Sequence, residues 1–351
     1  MSDVIPFKAG DPPENAPRAL GHKERRLFVL TGDGELVAMP VADAENGKGL
    51  ATLLGNDTEA RRWADGMFGG GGQFNAKAFG AWLIDQARGR GPVDPAALDL
   101  RGQGVWPSPD GKGAVANVGD ALILHDGRAV SLRHFERDGG KRAPIFTGFP
   151  AISRPAPEPC APDAVASLAR LADGLWQFDQ AHAGYVIVAW AALALLGGAA
   201  HFRPMLVVTG ARGSGKSTLA EISATLIGPM AGSGVINGFT EAGLRQLRNL
   251  TAMALILDEV EAVDGQGKEG QTRTLGLLRR MVTDEGGRVL RGTAGHSALP
   301  FRVIGAPAQF GINPPRMDGA TASRTVRLSI AAQSARDPGV AAAHLAQLKA
   351  K

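Results

Sequence analysis

Gly210-Ala-Arg-Gly-Ser-Gly-Lys-Ser217 spells the phosphate-binding pattern G-x-x-x-x-G-K-S without a mismatch, and it constrains the fold as tightly as the chemistry. The loop follows the apolar run Met205–Thr209 and precedes Thr218-Leu-Ala-Glu-Ile222, so it falls where a buried strand turns into a helix. Glycines at 210, 213 and 215 let the backbone fold tightly and aim successive N–H groups at phosphate oxygens. The start of the helix adds the positive end of its dipole. Lys216 is placed to reach the outer phosphates and Ser217 to hold Mg²⁺. Arg212, Ser214 and Thr218 complete the residues expected to bind a nucleoside triphosphate, here ATP.

At 351 residues the chain has room for two domains and a real core. The net charge of +4 permits a nucleic-acid partner without requiring one. Cys160 is the single cysteine, which excludes an internal disulfide and a cysteine-cluster metal site and fits a reducing cytoplasm. The opening Met1-Ser-Asp-Val-Ile-Pro6 is short, polar and proline-broken, unlike a secretory signal. Residues 184–200 are continuously apolar, yet they fall short of a usual span and contain Gly197-Gly198. A buried helix is expected there, and no membrane partner.

The pattern along the chain predicts an α/β protein. Residues 1–22, rich in proline and charge, read as a flexible arm, and 23–155 as a small α/β accessory domain for DNA binding or assembly. Within it, Arg26–Leu30 and Glu35–Met39 flank a Thr31-Gly-Asp-Gly34 turn as a hairpin. Helices are expected at 56–66 and 75–88, the second with Phe79, Trp82, Leu83 and Ala87 on one face. Short strands follow near 113–118 and 121–125. A Pro-rich linker at 155–162 leads into a helical subdomain, 156–200, with helices at 165–178, capped by Asp163 or Ser167, and at 184–196. From 201 to 331 strands and helices alternate, the signature of a parallel sheet with crossover helices, and 332–351 reads as a tail helix.

Three further elements choose among P-loop chemistries. Leu255-Ile-Leu-Asp-Glu259 lies 42 residues after Lys216 and reads as a second strand delivering two acids to the P-loop edge. Asp258 is expected to join the Mg²⁺ shell and Glu259 to orient and deprotonate a water. Gln309-Phe-Gly-Ile-Asn313 reads as a third strand, with Asn313 contacting the γ-phosphate and the water. Arg324 is the first choice for a guanidinium supplied by a neighbouring subunit, and Arg327 the second, acting within its own subunit. The bland alternative for both is surface ion pairing. No histidine pair has zinc-ligand spacing, and no paired acids and histidine are arranged for a primase site, so any primase activity would lie on another chain or segment.

In that order, with Asn313-Pro-Pro-Arg-Met-Asp-Gly-Ala-Thr-Ala-Ser-Arg324 after the third strand, the chain resembles the AAA+ ATPases of helicase superfamily 3. Within them it is most similar to the helicase portion of primase-helicases of bacteriophages and mobile elements. Phe239–Leu247 and Gly286–Gly295 also resemble segments of that group, as more weakly do Arg101–Trp106 and Gly119–His125. The resemblance implies a replicative DNA helicase in the bacterial host cytoplasm: a hexameric ring hydrolysing Mg²⁺-ATP between subunits and pulling single-stranded or forked DNA through its centre. A primase or polymerase would be a further partner. It also implies a pore hairpin, matched here by Arg288–Phe301, whose two β-prone runs read independently as a hairpin. Arg288, Arg291 and His296 would grip phosphates there, although the expected tip lysine is missing and a solvated hairpin face is the alternative. Residues 201–331 hold 15 Lys/Arg against 10 Asp/Glu, placing the positive surplus in this part of the chain. The rival readings are a loader or remodelling ATPase that binds DNA or a protein client without unwinding, and a DNA-binding or packaging accessory with a structural P-loop. Glu259 argues against the latter.

Overall fold

The computed structural model describes residues 11–70, 73–136, 143–259, 268–283, 288–289, 301–313, 317–331 and 346. Its centre is a five-stranded, all-parallel sheet. Across the sheet run Val235–Asn237 at one edge, then the acidic strand Leu255–Asp258, Pro307–Gly311, the P-loop strand Met205–Gly210, and Thr325–Ile330. Helices cover both faces. Leu206, Val208, Ile256, Ala308 and Phe310 pack against the P-loop helix Lys216–Ile227 and the helix Ala183–Leu196. Met205, Val207, Leu255 and Leu257 pack on the other side with Leu277, Leu278 and Met281 of the helix Lys268–Met281. Strands buried on both faces need unbroken apolar runs, and that is why these segments lack alternation. The chain therefore holds a P-loop α/β sheet flanked by helices, preceded by a helical subdomain and a smaller N-terminal α/β region.

The helical subdomain packs two helices, Pro162–Leu175 and Ala183–Leu196, across Gly184, where an added Cβ would lie 2.0 Å from the Ala169 carbonyl. The first helix begins three residues before the expected 165 because Pro162 occupies its first turn, where no N–H is missed. It ends at Leu175 rather than Phe178, since Trp176 to Gln180 are drawn onto the sheet. The apolar helix is not buried all round: Tyr185 and Leu196 are exposed. Among the described residues no helix is long and apolar enough to cross a membrane.

The N-terminal region holds a three-stranded antiparallel sheet of Arg18–Lys23, Arg26–Leu30 and Leu36–Pro40. The helix Ala76–Arg90 packs on it beside the helix Thr58–Phe68, with Trp63, Phe68, Phe79 and Trp82 in one aromatic cluster. The first strand overlaps the stretch read as an arm over residues 18–22. Its inward positions are Ala19 and Gly21, too small to register as an apolar alternation. Upstream, Asn15 donates to Asp57 (2.9 Å) and the Ala16 carbonyl accepts from Arg133 (2.7 Å), so residues 15 and 16 are also fixed.

This region is stitched to the parallel sheet. Gly102 N–H donates to the Leu250 carbonyl and Ala252 N–H to that of Gln103, both at 2.7 Å. Arg302 pairs with Asp99 at 2.7 Å and lies over the Trp106 ring.

Candidate active site

The sheet's carboxyl edge gathers the predicted chemistry. Thr209 is in register with both Gly311 and Ser329, and Val207 and Leu257 both pair with Gln309, so the strands end together. Beyond those ends come the P-loop, the acidic pair Asp258-Glu259 and, two residues past its strand, Asn313. A cleft outside the carboxyl ends of parallel strands is where such sheets bind ligands.

Gly213 and Gly215 adopt left-handed conformations, with φ of 78° and 84°, that a side chain would resist. Gly210 is required by space instead: a Cβ there would come within 2.6 Å of the Ser214 hydroxyl, which is buried beneath the loop. Lys216 begins the helix, and its ammonium donates to the carbonyls of Gly210 and Ala211, both at 2.8 Å. The cation is thus folded back over the loop mouth, held by groups that phosphate oxygens outcompete electrostatically. Arg212 and Ser217 are exposed, and Thr218 is half-buried.

Asp258 closes the acidic strand and is buried, and its Oδ1 accepts from the Glu259 N–H at 2.9 Å. Glu259 is exposed with φ of 54°, a left-handed conformation costly for a non-glycine residue. Such strain concentrates where a side chain must be aimed. A Ser hydroxyl and a carboxylate are hard oxygen donors that suit Mg²⁺ completed by phosphate oxygens and water. Among the described residues no cluster of three His, Cys, Asp or Glu could hold a metal ion by itself.

The two arginines sit elsewhere. Arg324 precedes the strand Thr325–Ile330, and its carbonyl accepts from the N–H of Met205, the first residue of the P-loop strand. It is therefore at the amino edge of the sheet, a six-residue strand or roughly 17 Å away from the P-loop of its own subunit. Its guanidinium donates to the Ala320 carbonyl at 2.8 Å and lies near Asp318. Hydrogen bonds from the Thr321 hydroxyl and N–H, then Arg279 and Arg324, hold the Asp318 carboxyl below its ordinary range. Arg327 is exposed midway along the strand, level with Val207.

Arg288-Val289 and Phe301-Arg302 pair antiparallel, as the base of a hairpin does. Arg291, His296 and the side chain of Arg288 lie outside the described residues, as does the predicted tail helix apart from Ala346, which is helical.

One contact at the site has no motif behind it. Trp176, 5% exposed, donates its indole N–H to the Gly215 carbonyl at 3.1 Å. A tryptophan closing an amphipathic helix reads as ordinary core, and nothing in its spacing marks it.

No protein-family profile matches the chain, and no curated protein matches it. Among solved structures it is similar to a JCV helicase crystallised with a thiazolopyridine-bearing phenoxyphenyl acetamide. Identity is 17%, covering 50% of this chain and 47% of that one, with a TM-score of 0.29. The chain thus spans about half the length of that structure.

Proposed function

We propose that the chain is the motor subunit of a superfamily 3-type AAA+ helicase, hydrolysing Mg²⁺-ATP in a hexameric ring to move DNA in a phage or mobile-element replication system. The observation that carries the reading is the convergence of P-loop, Asp258-Glu259 and Asn313 on one sheet edge, with Arg324 at the opposite edge. Ser217 and Asp258 would hold Mg²⁺, which withdraws charge from the phosphate oxygens. Lys216 and the loop N–H groups bind the phosphates. Glu259 accepts the proton of the attacking water, and Asn313 orients that water. Arg324, too far to serve its own P-loop, serves the neighbour's, so ring closure completes the site. Arg327 is the second candidate, acting within its own subunit.

A forked-duplex unwinding assay with ATP tests the reading. Strand separation that stops on Lys216→Ala supports it. DNA-stimulated hydrolysis without separation favours a loader, and hydrolysis indifferent to DNA favours a protein client.

A further inference from the structure

Trp176 connects three parts of the molecule. The helix Pro162–Leu175 ends at it, its indole is packed in the core beneath the P-loop helix, and its N–H reaches the loop backbone. The residues that follow clamp it in place. Phe178 bridges to Ile330, Asp179 N–H donates to the Ser329 carbonyl (2.9 Å), Ala331 N–H donates to that of Gln177 (2.7 Å), and Gln180 accepts from Ser329 N–H (2.8 Å). The indole is therefore fixed to the strand next to the P-loop strand.

Its acceptor is the carbonyl of a conformationally constrained loop residue. Gly215 stands in the left-handed region immediately before Lys216, and its carbonyl already receives the first helical hydrogen bond, from Leu219 N–H at 3.0 Å. The indole N–H adds a second donor, which fixes the direction of that carbonyl. The adjoining peptide plane then fixes where the neighbouring N–H points. A Cβ on Gly215 would lie 2.7 Å from the indole nitrogen, so ring and glycine are fitted to each other.

We propose that Trp176 is a positioning residue for the nucleotide site: its indole N–H holds Gly215 so that the loop N–H groups are preset for phosphate. This rests on the reading of Gly210–Ser217 as an ATP site. Preorganised donors bind without reordering the loop, so the loss should appear in nucleotide affinity rather than in folding.

Two crossed substitutions separate hydrogen bond from packing. Trp176→Phe keeps an aromatic ring and removes the donor. Trp176→His keeps an N–H at the same position along the side chain and removes the second ring. With ATP affinity measured by a fluorescent analogue and melting temperature in parallel, Trp176→Phe is expected to bind about five- to tenfold more weakly. Trp176→His is expected to recover most of that loss although it melts lower. Binding by Trp176→Phe within twofold of wild type, or no recovery in Trp176→His, overturns the proposal. If neither variant folds, the indole N–H resonances of the wild-type chain decide. Mg²⁺-ATP is expected to shift that of Trp176, and an unmoved resonance overturns the proposal. Failure of the wild-type chain to bind ATP removes the P-loop reading and the proposal together, whereas normal binding by Trp176→Phe removes the proposal alone.

Discussion

In the proposed reaction Lys216 and Glu259 have two separable jobs, holding phosphate and activating water. The ammonium of Lys216 already sits between two loop carbonyls, so its transfer to phosphate exchanges neutral acceptors for charged ones. Lys216→Ala is accordingly expected to weaken ATP binding about ten- to a hundredfold, read by equilibrium titration. Glu259→Gln should leave that affinity intact while single-turnover hydrolysis falls by about a hundredfold or more. Unaltered hydrolysis in Glu259→Gln would assign the proton to another group. The left-handed backbone at Glu259 sharpens the contrast, because an amide of the same shape keeps the strained geometry and loses only the base.

At the scale of elements, stability hinges on close approaches and caps. Gly184→Ala drives a methyl group into the Ala169 carbonyl, and the helix pair should lose about 1–3 kcal/mol, seen as a lower Tm. Asp57 caps the helix Thr58–Phe68, accepting from the N–H groups of Glu59 (2.7 Å) and Ala60 (2.9 Å). The bond from Ala60, then the one from Asn15, lowers its carboxyl below the ordinary 3.8. A lowered carboxyl contributes stability that is present above its unfolded value and lost as pH falls through the folded one. Asp57→Ala should therefore cost about 1 kcal/mol near neutral pH, with the gap to wild type closing below pH 4 in denaturant titrations. The same elements show what was legible in the sequence. Met205–Gly210 and Leu255–Asp258 were readable because strands buried on both faces must be apolar throughout. Arg18–Lys23 was hidden because its inward residues are alanine and glycine, and Trp176 because its role is a contact with a loop 39 residues away. The bounds of the helix Pro162–Leu175 turned on tertiary pairing by Trp176–Gln180, which local pattern does not encode.

For the whole molecule, the parallel sheet divides one proposed active site between two subunits. Its carboxyl edge carries the P-loop, Asp258, Glu259 and Asn313, while Arg324 faces away at the amino edge. In the proposed ring the amino edge of one subunit would meet the carboxyl edge of the next, a heterologous contact that closes by rotation. Arg324→Ala alone should bind ATP normally and lose turnover by about a thousandfold or more. The most direct test mixes that variant with Lys216→Ala, each inactive by itself. A shared site predicts that mixed rings recover up to about a quarter of wild-type turnover, because one interface in about four joins an intact P-loop to an intact finger. Mixtures no more active than either variant, from subunits shown to co-assemble, would contradict the shared site.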